Sequence, residues 1–124
     1  MKHWMPALIF AFLIFMMSAQ SSPPGQNLAP DYVAHFMEYG IFALTILWGV
    51  TRGLKKSITF SRAIVCFFIS SAYSASDEFH QSFVPHRTPS WSDIGSDALG
   101  AATFLAIAFA YAWMRRRRRL AAAR

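Results

Sequence analysis

Residues 101–114 read AATFLAIAFAYAWM, and residues 115–119, immediately after, read RRRRR. The first stretch carries no charged side chain, and the second carries nothing else. A helix that is apolar on every face is either the centre of a large protein or a membrane span. Charged residues are too few for the surface of a soluble domain of 124 residues. The stretch therefore reads as a membrane helix, and the arginines as the cluster that stops its transfer and sits on an anionic leaflet.

The rest of the chain agrees. Hydrophobic residues make up 55% and charged residues 15% of it, and mean hydropathy is +0.31. A soluble domain of this size needs more surface charge. Three further apolar segments, Trp4–Ala19, Tyr32–Val50 and Phe60–Ser76, join Ile94–Met114. With their flanks they predict helices over 4–20, 32–50, 60–80 and 92–114, followed by a basic tail, 115–124, in a single domain, 1–124. The first is short for a bilayer that takes roughly 20 residues to cross, and the third is close to the lower limit. Lipid offers no partner to backbone N–H and C=O groups, so each span is expected to be helical. The expected fold is an all-α integral membrane protein, a four-transmembrane-helix bundle. Loops are marked by SSPPGQN (21–27) and TRGLKK (51–56), and Ser90 with Asp93 has the spacing of a capping box at the start of the last helix.

Orientation follows from the basic residues. Lys2, Arg52, Lys55, Lys56, Arg62, Arg115 to Arg119 and Arg124 fall on one side of alternating spans, and Arg87 alone on the other. Eleven against one predicts both termini in the cytoplasm of a multi-pass inner-membrane protein. The N-terminal MKH, a short apolar run and M17-S18-A19 resemble a signal peptide. Met17 stands where cleavage prefers a small residue, so an uncleaved first helix is expected. No recognition fold accompanies the arginines, and nucleic acid is not an expected partner. Cys66, the one cysteine, reads as a small apolar filler.

All six acidic residues lie on the side opposite the basic ones. Asp31 precedes the second helix, and Glu38 follows seven residues later, ~10 Å deeper. Asp77 and Glu78 end the third helix; Asp93 and Asp97 begin the fourth. Asp31, His35 and Glu38 share a helical face, Gln81 lies one turn beyond Asp77 and Glu78, and Asp93, Asp97 and Gly100 form one stripe. A carboxylate within a span costs about 2.5–3.5 kcal/mol, so Glu38 and Asp97 should face inward. The expected site is a polar cluster at the outer mouth of the bundle, made of Asp31, His35, Glu38, Asp77, Glu78, Gln81, Arg87, Asp93 and Asp97. Pairing with His35 or Arg87 would lower the cost of Glu38 and Asp97, and Arg87 is the only strong cation of the cluster.

Several roles fit these groups. A structural knot locking the helices is one. Proton transfer through His35 and Glu38 is another. A metal held by Asp77, His80 and His86 would match no zinc spacing, and neither metal nor cofactor is expected. Ser70, Ser71 and Ser74 read as helix-packing residues rather than nucleophiles.

The ordered run S74-x-x-D77-E78-x-x-Q81-x-F83-x-P85-x-R87, then D93-x-x-x-D97-x-x-G100, resembles the signature of the VanZ-like membrane protein family. The upstream D31-x-x-x-H35-F36-x-E38-Y39 is similar to that family's second-helix motif. The resemblance implies a small bacterial integral membrane protein of about four helices. The family takes its name from a member linked to resistance to the glycopeptide teicoplanin, and no agreed reaction comes with it. Two positions depart from the pattern: His86 stands where many members carry Gly, and Asp97 where many carry Asn. Three functions are consistent with these residues. The cluster could engage a phospholipid headgroup, a lipid-linked wall precursor or a glycopeptide. It could serve an intramembrane enzyme using paired carboxylates as acid and base. It could belong to a structural or partner-binding subunit.

Overall fold

A computed structural model describes residues 2–21 and 30–123; the expected loop at 22–27 and Arg124 lie outside the described residues. The described chain is all-helical, with no strand: α1 (Met5–Ser18), α2 (Asp31–Val50), α3 (Phe60–Gln81) and α4 (Trp91–Ala122). The helix starts have local causes. Pro6 sits in the first turn of α1, where a missing N–H costs nothing. Asp31 places a negative charge at the positive end of α2. Thr59 and Ser90 cap α3 and α4, accepting hydrogen bonds from the backbone N–H of Arg62 and Ser92.

The largest departure from the expected boundaries is α4, which does not stop at residue 114 but runs through all five arginines. Arginine is a good helix former, and cations are favoured at the negative end of the helix dipole. The guanidinium of Arg117 also lies 4.0 Å from the centre of the Trp113 ring, one turn back. At 1.5 Å per residue α4 is ~48 Å long, well beyond the ~30 Å of a bilayer core.

The helices alternate in direction. Trp4 at the start of α1 meets Gly49 at the end of α2, and Phe60 at the start of α3 meets Phe109 near the end of the apolar part of α4. α2 and α3 each touch all three other helices, while α1 and α4 lie on opposite flanks without touching. One end of the bundle therefore gathers the last turns of α1 and α3 with the first turns of α2 and α4. This is the acidic end; the other, holding 51–59 and the arginines, is the basic end.

α2 and α4 run parallel and close. A methyl group built on Gly100 would clash with the carbonyl oxygen of Phe36, and one on Gly40 would stand 2.6 Å from the Phe104 ring. Each helix thus offers a glycine to the other's phenylalanine, and the two rings meet edge to face at 6.0 Å.

Burial is inverted relative to a water-soluble bundle. Leu8, Phe68, Ile107 and Trp91 are 62%, 65%, 64% and 89% exposed, while Ser18, His35, Ser74, Asp77, Glu78, Gln81 and Asp97 are buried. α2 and α4 are long and apolar enough to cross a membrane. α1 is a shorter apolar helix.

Candidate functional site

The acidic end is built around Asp97, nearly two turns into α4 and 2% exposed. Its Oδ1 accepts a hydrogen bond from Nδ1 of His35 on α2 at 3.0 Å. Its Oδ2 accepts one from the Ser74 hydroxyl on α3 at 2.6 Å. A single carboxylate thereby joins three helices. Gly100, one turn below, lets α4 come close enough to α2 for the His35 contact to form.

Asp77 makes the second junction. The Ser18 hydroxyl, at the end of α1, donates to its Oδ1 at 2.6 Å, and Gln81 Nε2 donates to its Oδ2 at 3.0 Å. Tyr73, one turn earlier on α3, donates its hydroxyl to the carbonyl of Ala11 in α1 at 2.7 Å. These contacts, with the Phe15–His80 ring pair at 4.7 Å, hold α1 to α3.

Glu78 makes the third. Its Oε1 accepts the backbone N–H of Ser90, the residue before α4. In a capping box that N–H belongs to an acid three residues into the same helix. Here Ser90 accepts from Ser92 as a cap should, but Asp93 instead accepts from the Ser92 hydroxyl at 3.3 Å. The reciprocal half of the expected box is supplied by α3. The placement of acids at the end of α3, unfavourable for its own dipole, is accounted for by the partners that Asp77 and Glu78 find on α1 and at the head of α4.

Glu38 differs from these three. It is half-buried on α2 and has no hydrogen-bond partner among the described residues. It lies one helical turn beyond His35. Asp31 is exposed, and Asp93 is half-buried at the rim.

Of the two candidate partners, His35 and not Arg87 pairs with Asp97. Arg87 Nε instead donates to the backbone carbonyl of Gln20 at 3.3 Å. In the turn before it His86 has φ 65, in the left-handed region that glycine adopts without penalty. Histidine is among the residues that tolerate it best. Asp77, His80 and His86 form no metal-holding group, and no other three such residues do among the described ones.

Two hydroxyls matter more than their sequence context suggests. Ser74 reads as a packing residue but donates to Asp97. Ser18 is the one polar side chain of α1, and that isolation is the signal that could have singled it out. One turn towards the basic end, the hydroxyls of Tyr39, Ser70 and Ser71 are buried without a partner among the described residues, leaving hydrogen-bonding capacity that bound water would satisfy.

Neither curated proteins nor solved structures provide a match to the chain. A family model does, and it spans residues 3–114, from just before α1 to the last residue of α4 before the arginine run. That range takes in every junction described above, and the two long apolar helices within it point to a membrane protein. The chain belongs to the VanZ/LLP1 family.

Proposed function

We propose that this protein is a four-span inner-membrane protein, both termini cytoplasmic, whose outward acidic end engages the headgroup of a phospholipid or lipid-linked wall precursor. Glu38 and Arg87 are the contact residues in this reading. The observation that carries it is the unequal state of the carboxylates. Asp77, Glu78 and Asp97 are each held by a partner from another helix or loop, whereas Glu38 has none among the described residues. Arg87 uses only its Nε on a described partner, which leaves a guanidinium suited to phosphate or carboxylate.

The four-span topology is supported by alternation of helix direction, by the sorting of charge, and by aromatic side chains at both ends. Trp4, Trp48 and Trp113 lie towards the basic end, and Phe79, Phe83 and Trp91 at the acidic end; all six are exposed. Retention of α1 as a span is supported by its tethers, Ser18 to Asp77 and Ala11 to Tyr73.

The test is to purify the protein and its E38A and R87A variants and identify co-purified lipid by mass spectrometry. Loss of one lipid or lipid-linked species from both variants, with thermal stability kept, supports the reading. Unchanged lipid content and unchanged sensitivity of cells to envelope-directed antibiotics, glycopeptides included, would sink it. A second reading, a structural or partner-binding subunit, is favoured by the three-helix junction at Asp97. It predicts that Arg87 and Glu38 variants lose stability and function together. Enzymatic use of Asp77 and Glu78 as acid and base would require both to leave their present partners, and D77N or E78Q with full activity would exclude it.

A further inference from the structure

The basic end carries a feature that the acidic cluster does not use. A cleft of about 540 Å³ opens between the loop after α2, the start of α3 and the arginine-bearing part of α4. Its floor is apolar: Phe60, Phe109 and Trp113 line it, the first two paired edge to face at 6.3 Å. Phe60 and Trp113 are 67% and 48% exposed. Its rim is cationic, with Lys56 from the loop and Arg115, Arg116 and Arg119 from α4. No acidic side chain is among its lining residues. Thr59 and Phe60 also bring the positive end of the α3 dipole to the same opening.

The loop that presents Lys56 is tied down at several points. Arg52, Gly53 and Leu54 all have positive φ. The Thr51 hydroxyl donates to the Leu47 carbonyl at 2.7 Å and accepts the Leu54 N–H at 3.3 Å, while the Lys56 N–H donates to the Thr51 carbonyl at 2.9 Å. Arg62 further binds the Ser57 carbonyl. The rim on this side is therefore fixed by backbone contacts, and the opposite rim rides on a continuous helix.

We infer that this cleft binds one molecule of an anionic phospholipid, its phosphate between Lys56, Arg116 and Arg119 and an acyl chain over Phe60, Phe109 and Trp113. Charge complementarity selects the occupant. A cationic rim without acids repels cations, and an apolar floor favours an amphiphile over a free anion. The cleft also sits where a span leaves the bilayer. This inference is independent of Glu38 and Arg87, and its test leaves both untouched.

The run of five arginines provides its own control, because Arg117 and Arg118 lie on the same helix but do not line this cleft. Full-length protein, R116Q/R119Q and R117Q/R118Q are compared for retention of phosphatidylglycerol against phosphatidylcholine in mixed micelles. Both doubles carry the same residual charge, so general attraction to an anionic surface falls equally in the two. The expected result is a loss of about tenfold in phosphatidylglycerol affinity for R116Q/R119Q and less than about twofold for R117Q/R118Q. Equal losses would reduce the effect to general electrostatics and overturn the site. So would equal retention of the two lipids by the unaltered protein, or displacement by millimolar glycerol phosphate. Should R116Q/R119Q fail to fold in detergent, K56Q, in the loop, decides the matter: it is expected to lose affinity about threefold, and no loss would overturn the proposal.

Discussion

The two ends of the bundle use charge in opposite ways. At the acidic end Asp77, Glu78 and Asp97 are buried, and each accepts a hydrogen bond from a side chain or N–H on a separate element. At the basic end Arg115 to Arg119 are exposed and make no ion pair among the described residues. The side-chain geometry accounts for the difference. A carboxylate on a short stem accepts from two directions and fits between helices, whereas a guanidinium on a long, flexible stem reaches out to solvent or headgroups. The acids thus hold the helices to one another, and the arginines act on what lies outside.

The contrast predicts where stability is lost. D97A should have the largest effect, because it leaves His35 and Ser74 buried without their shared acceptor. A loss of about 3–5 kcal/mol is expected in thermal or denaturant unfolding in detergent. D97N keeps one acceptor oxygen and turns the other position into an N–H donor, which the Ser74 hydroxyl can accept, so it should recover part of the loss. A D97A protein as stable as its parent would break the account of the acidic end.

Next is G100A, where the added methyl meets the Phe36 backbone rather than a movable side chain. A cost of about 1–3 kcal/mol is expected. G40A should cost less, since the Phe104 ring can swing aside. If G40A were the worse of the two, the close α2–α4 approach would not depend on Gly100.

E78A removes the acceptor of the Ser90 N–H and should cost about 1 kcal/mol, the scale of a lost helix cap. Amide exchange measured at Ser90 and through the first turn of α4 would accelerate, with the C-terminal half of α4 unchanged. Faster exchange along the whole helix would mean that Glu78 does more than complete the cap.

The smallest effect sharpens the comparison from the other side. R116Q should shift unfolding by no more than about 0.5 kcal/mol, as expected for an exposed side chain without a partner. A larger loss would show that the basic end also holds the fold together.

Much of this architecture is legible without coordinates. Apolar runs locate all four helices, because transfer from water to an apolar medium is a nearly additive property of neighbouring residues. The sorting of acids and bases to opposite ends is equally local. The arginine run illustrates the limit: its charge is plain, yet whether it continues as helix depends on propensity, dipole and the Trp113 contact together. Helical periodicity also puts Asp93, Asp97 and Gly100 on one stripe, but it does not say which neighbour that stripe faces. Charge leaves both His35 and Arg87 open as partners of Asp97, and the close packing of α2 on α4 brings His35 there.

The helical class, the number of helices and the polarity of the two ends follow from the order of residues alone. Each of these is a sum of local terms along the chain. Only the tertiary structure decided that Asp97 meets His35 and Ser74, that Ser18 tethers α1 to Asp77, and that Glu78 completes the cap of α4. A hydrogen bond forms within a few tenths of an ångström or not at all. Residues 62 or 59 positions apart reach that accuracy only when packed helices, and the glycine that lets two of them touch, bring them together.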